Sequence, residues 1–127
     1  MMDLQGVFDR VARHLLIQRE PSKRKFQGRP ICAYRGNFGK RCAVGVLIAD
    51  AAYTVELEAR GLQCPSVKFA LENSGVDLDD RTLRMLDLLQ ELHDEISVCQ
   101  WRSRLAEIAD AFGLSGVAII DAEGCGL

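Results

Sequence analysis

The residues of this 127-residue chain best suited to chemistry are five cysteines (Cys32, Cys42, Cys64, Cys99 and Cys125) and two histidines (His14 and His93). Cys42 follows Lys40 and Arg41 and opens the apolar run Cys-Ala-Val-Gly-Val-Leu-Ile-Ala. If a helix starts there, its dipole and the two cations lower the thiol pKa and favour a nucleophilic thiolate. His93 would then be the base, with Asp94 orienting it. The competing reading makes Cys42 a small core hydrophobe and His93 a packed residue in line with leucines on an amphipathic helix. The cysteine-dependent enzyme of Cys42, His93 and Asp94 is therefore an alternative, and no catalytic residue is assigned.

The other site chemistries find less support. An odd number of widely spaced cysteines argues against a disulfide framework. There is no Cys-x-x-Cys pair, and neither histidine lies within four residues of a cysteine, so no metal site and no cofactor are expected. Gly36-Asn-Phe-Gly-Lys-Arg lacks the spacing of a phosphate loop.

Charge is the stronger signal. From Arg10 to Arg41 there are ten basic residues and one acidic, whereas from Cys42 onward there are six basic and fifteen acidic. A chain of net charge −2 is thus expected to fold into a polarised surface that steers partners. The basic patch comprises Lys23, Arg24, Lys25, Arg29, Arg35, Lys40 and Arg41, with Tyr34 and Phe38 available for stacking. The acidic face comprises Asp79, Asp80, Asp87, Glu91, Asp94 and Glu95. Either face suits a protein partner or a second copy of the chain. The basic patch also suits nucleic acid, against a sequence pI of about 5.7.

Hydrophobic residues make up 48% and charged residues 27%, a globular balance that fits one domain over 1–127. No apolar run reaches the roughly 18 residues of a membrane span. The N-terminus lacks the pattern of a secretory leader. A cytoplasmic protein without membrane association is expected.

The elements that must position these residues follow from periodicity and capping. Leu4, Val7, Phe8, Val11, Leu15 and Leu16 predict a helix from Asp3 to Arg19. Residues 20–29 read as a solvated basic loop. Two β-prone pieces around Gly36-Asn-Phe-Gly predict a hairpin near 30–42. A helix is expected after Cys42, with a buried strand as the alternative, then helices over 67–73, 81–96 and 98–112. Residues 116–120 suggest an edge strand, and 121–127 a loose tail. The expected fold is α+β and helix-dominated, with four to five helices around a two- or three-stranded patch.

Cys32-Ala-Tyr34-Arg35, Gly39-Lys-Arg-Cys42-Ala-Val-Gly45-Val-Leu-Ile48-Ala-Asp50, Tyr53 and Leu57-Glu58 resemble the pattern of a group of small proteins frequent in bacteriophages and prophages. Leu89-Gln90-Glu-Leu-His93-Asp94 and Trp101-x-x-x-Leu105-x-x-Ile108-Ala109 extend the likeness. Ala49 stands where that pattern often has proline. The resemblance implies a phage or prophage context and carries no catalytic residues. With the charge split, it leads to an expected accessory protein that binds a host protein or nucleoprotein complex in the host cytoplasm. Blocking a host defence system is one outcome of such binding.

Overall fold

The computed structural model describes residues 1–125. Helix α1 (Leu4–Gln18) forms where the apolar spacing predicts it. Asp3 caps it by accepting the Gly6 N–H at 2.9 Å, which satisfies one of the orphan donors of the first turn. Val7, Phe8, Val11, Ala12 and Leu15 are wholly buried along one face. The helix ends at Arg19, which turns left-handed at φ 55°.

The hairpin lies one strand earlier than expected. Strands β1 (Lys23–Phe26) and β2 (Arg29–Cys32) pair antiparallel, with Arg24 opposite Ile31 and Lys25 opposite Pro30. Residues 20–29 are therefore largely ribbon, not loop. Gln27 and Gly28 both take positive φ, 52° and 80°, the requirement of a tight two-residue hairpin turn. Alternation relieves the repulsion within Lys23-Arg24-Lys25, because the middle residue points to the opposite face. The Ala33 N–H donates to the Ser22 carbonyl at 2.9 Å. Counting along the ladder from that pair leaves Pro30 where no cross-strand N–H is needed. Residues 33–42 make only a single bridge, Arg35 to Arg41, around a 3-10 turn at Asn37–Gly39.

The segment after Cys42 is neither helix nor strand. It runs through short 3-10 turns at Gly45–Leu47, Asp50–Ala52 and Val55–Leu57. Extended residues separate them. Ile48 and Ala49 have ψ of 118° and 152°, and Ala49, at φ −66°, holds the geometry a proline would impose. The reason the helix fails is packing. Cys42, Ala43, Val44, Gly45, Leu47 and Ile48 are all buried, more than one face of a helix can hide. Gly45 also lets the Tyr34 backbone cross directly over it.

Helix α2 (Pro65–Asn73) begins with proline in its first turn, where the missing N–H costs nothing. Helix α3 (Asp80–Glu95) is capped by Asp79, which accepts the Thr82 N–H at 2.8 Å. Helix α4 (Trp101–Ala111) buries Trp101, Leu105 and Ile108. The expected edge strand at 116–120 is instead the start of helix α5 (Val117–Cys125). Ala118, Ile119 and Ala122 are buried, at helical spacing, where α5 packs against α1. Arg13 and Asp121 join the two helices at 2.9 Å. The part of the expected loose tail at 121–125 is thus helical, and 126–127 lie outside the described residues.

The result is a helix-dominated α+β fold, with five α-helices and one two-stranded sheet among the described residues. Its core joins Phe8 and Leu15 of α1 to Leu71 of α2, Met85, Leu86 and Leu89 of α3, and Trp101 and Leu105 of α4.

A Cβ at Gly45 would sit 2.0 Å from the Tyr34 carbonyl oxygen and 2.7 Å from its carbon, whereas one at Gly61 meets nothing within 4 Å. Both partners at Gly45 are backbone, so neither can swing away. Gly45→Ala is expected to destabilise the fold by about 3 kcal/mol or more. Gly61→Ala should leave the denaturant midpoint nearly unchanged. Urea unfolding of the two variants checks the contrast.

Candidate functional site

The polar residues around the hairpin assemble into two linked networks. The first is centred on Glu58, whose carboxylate is fully buried. It accepts the Tyr34 N–H at 2.9 Å, the Arg35 N–H at 3.1 Å and the Tyr53 hydroxyl at 2.6 Å. The Arg24 guanidinium lies 4.0 Å away. Two successive backbone N–H groups and a phenol satisfy the charge that burial would otherwise penalise. Burial, and secondarily this bond to Glu58, raise the Tyr53 phenol to about 12. The Tyr34 hydroxyl donates to the Arg60 carbonyl and closes the same loop.

The second network holds the base of the hairpin to the end of α3. The Ser22 N–H donates to His93 Nε2 at 2.8 Å, and His93 Nδ1 lies 2.7 Å from Asp94 Oδ1. With Nε2 accepting, the ring proton is on Nδ1 and is directed at Asp94. Gln90 donates to the same carboxylate oxygen at 2.9 Å and accepts the Val44 N–H at 3.0 Å. Cys32, His93 and Asp94 bring one ligand-type atom each within 4.8 Å of one another. A cation at this cluster would need the lone pair of Nδ1, which carries the proton as long as Ser22 holds Nε2. The network therefore fits a hairpin joint better than a metal centre.

Two sequence candidates change character here. Cys42 is sealed in the core at 1% exposure. Burial pushes its thiol up to about 12, the reverse of the lowering expected from a helix dipole and adjacent cations, because no helix starts there. Both nitrogens of His93 are engaged by Ser22 and Asp94. The histidine meets Cys32, not Cys42. Cys32 is itself raised to about 11, first by burial and then by the Asp94 charge.

The seven cations of the basic patch divide into three groups. Arg24 and Arg35 turn inward. Arg24 reaches Glu58 and donates to the Arg35 carbonyl at 3.3 Å. Arg35 stacks 4.4 Å above the Tyr53 ring and pairs with Asp50 at 2.8 Å. Lys40 and Arg41 are paired at the surface, with Glu20 at 2.7 Å and Asp50 at 3.5 Å. Gln18 also clamps the Arg41 backbone, accepting its N–H at 2.9 Å and donating to its carbonyl at 3.0 Å. The His14 ring donates to that carbonyl too, and burial lowers its pKa. Lys23, Lys25 and Arg29 make no ion pair among the described residues; all three are exposed on the ribbon.

The acidic face divides similarly. Asp79 is a helix cap and Asp94 belongs to the hairpin joint. Asp80, Asp87, Glu91 and Glu95 are exposed on α3.

Two features were missed from sequence. Cys64 precedes α2 as its N-cap residue. Hydrogen bonds from the Ser66 side chain and backbone, then from Arg60, lower its thiol to about 7. The signal available was a cysteine directly before a helix-initiating proline, four residues after an arginine. Glu58 was legible only as part of the phage-type pattern. A lone Glu between Leu57 and Ala59 says nothing about burial.

Glu58→Gln would set an amide N–H₂ against donors that need an acceptor. It is expected to cost about 3 kcal/mol, read as a lowered denaturant midpoint.

The thiols should react in the order of their environments. With iodoacetamide at neutral pH, Cys64 is expected to alkylate well ahead of Cys32 and Cys42, at a rate that climbs as pH rises through about 7. Cys42 should stay unmodified until the protein unfolds. Peptide mass spectrometry over a time course reads the order, and early labelling of Cys42 would contradict it.

No family model, curated protein or solved structure matches the chain.

Proposed function

We propose that this protein acts by binding a partner protein through the exposed cations of its hairpin, Lys23 and Lys25 on one side of the ribbon and Arg29 on the other. The observation that carries the reading is the ribbon itself. Neither strand contains a buried residue, although two-stranded hairpins are marginal on their own. The core gains little from the outer half of this one. Its exposed cations Lys23, Lys25 and Arg29 are the members of the basic patch that make no ion pair among the described residues. Such charges contribute to association rate and register when they meet carboxylates.

The partner is read as an acidic protein surface. In keeping with the phage-type resemblance, it is a host protein or a nucleoprotein complex in the host cytoplasm, and inhibition of a host defence system is the outcome in view. A nucleic-acid reading has one observation in its favour, the basic two-stranded ribbon, a shape that enters a major groove. Asp94 and Glu95, whose charges reach Cys32 at the ribbon's base, oppose a uniformly anionic phosphate backbone, whereas a protein surface can set carboxylates against the ribbon and cations against this pair. Catalysis through Cys42 draws no support from a sealed, protonated thiol.

The test is a charge reversal, Lys23→Glu with Lys25→Glu and Arg29→Glu, in affinity purification from host lysate. A stoichiometric partner recovered with the parent protein should fall by about tenfold or more with the variant, while the far-UV circular dichroism stays the same. Equal recovery by both proteins would overturn the reading. Loss of the partner on nuclease treatment would move it to nucleic acid.

A further inference from the structure

We propose that Phe38 and the groove between α3 and α4 are the two halves of a contact between copies of this chain. Phe38 is 94% exposed, and it sits in the left-handed region at φ 60° and ψ 33°, where an L-residue is disfavoured. The loop enforces this: the Gly36 N–H donates to the Lys40 carbonyl at 2.8 Å, closing the turn from which the ring projects. Lys40 Nζ lies 5.5 Å from the ring centroid. Lys23, Lys40 and Glu20 line the hollow on one side of the ring, with Lys40 paired to Glu20 at 2.7 Å, and Ile17, 61% exposed, borders the hollow on the other. The protein thus presents a fixed aromatic knob with the exposed cation Lys23 beside it, and the one ring interaction among the described residues is the surface contact with Lys40.

The complementary feature is on the acidic helices. Leu88, Leu92 and Ile108 line an open groove of about 250 Å³ between α3 and α4. An apolar cavity of about 150 Å³ accommodates a benzene ring, so one phenylalanine side chain fits. Asp87, Glu91 and Glu95 follow one edge of α3 beside it and are exposed. Arg104, the cation lining the groove, is held by Glu107 at 3.7 Å. Apolar knob with cations meets apolar groove with carboxylates, which is the complementarity that orients an interface. No residue lines both the groove and the hollows beside Phe38. A single copy therefore offers knob and groove together, and the contact is heterologous unless a two-fold axis pairs both halves. Lys23 belongs to both readings, and the two are told apart by their variants, since Phe38 and Leu88 are not hairpin cations and Lys25 and Arg29 line neither surface.

Sedimentation velocity on the full chain tests it. The parent protein is expected to gain mass above one chain as concentration rises, and to lose it with added salt. Phe38→Ala and Leu88→Arg should each weaken association by about thirtyfold or more. Mixing the two variants should restore it, because one supplies the intact groove and the other the intact knob. Both positions are exposed, so circular dichroism and Tm should match the parent. If Leu88→Arg does not fold, Glu91→Lys takes its place. A parent protein that stays monomeric at every concentration overturns the proposal. So does a variant that associates like the parent, or a pair that stays apart on mixing.

Discussion

The buried carboxylate of Glu58 is the constraint on which the irregular half of this protein depends. The stretch from Ala33 to Leu62 contains no long helix and no extended sheet to satisfy its backbone. Glu58 supplies what regular structure would have supplied elsewhere, accepting two successive N–H groups from Tyr34 and Arg35 and a hydroxyl from Tyr53. Hydrogen bonds to a charged acceptor are each worth about 1.5–3 kcal/mol, and the acceptor itself is fully buried. Removing the charge would leave those donors buried without an equivalent partner. The segment is accordingly held in one conformation despite its lack of repetitive structure.

That fixed segment decides what the protein shows to its surroundings. The Tyr34 backbone is pinned from one side by Glu58 and from the other by close approach to Gly45. Arg35 is drawn onto Tyr53 and Asp50, which removes one cation from the surface. Beyond it the chain turns tightly through Asn37–Gly39, and Phe38 is left outside. The hairpin is tied at its other end by the Ser22 to His93 bond. A polar network inside the molecule thus selects which charges and which aromatic ring face outward.

Much of the helical framework was legible because its signals are local. Asp3 and Asp79 cap helices within a residue or two of the predicted starts, and the apolar spacing of α1 matches its buried face. The errors share one cause, which is that a short apolar or polar run does not carry its own environment. Residues 42–48 are buried on too many sides for a helix. Val117, Ile119 and Ile120 are β-prone, yet α1 offers Ala118, Ile119 and Ala122 a helical seat and no described strand offers an edge. The basic 20–29 segment carries no apolar periodicity and a run of three cations, so nothing local marks its strands, and Gln27-Gly28 is a weaker turn signal than Asn-Gly.

The site residues divide along the same line. The sequence by itself determined the charge split, the helix-dominated class and the inventory of thiols, carboxylates and cations, since these follow from composition, periodicity and capping. Only the tertiary structure decided which of them are available. It buried Cys42 and left Cys64 with the lowered thiol. It joined His93 to Ser22 and Asp94, drew Arg24 to Glu58 and Arg35 to Tyr53 and Asp50, and left Lys23, Lys25 and Arg29 without an ion pair among the described residues. The physical reason is that availability and ionisation depend on desolvation and on partners distant in the chain, such as Glu58 for Arg24 and His93 for Ser22, and no local pattern encodes those distances.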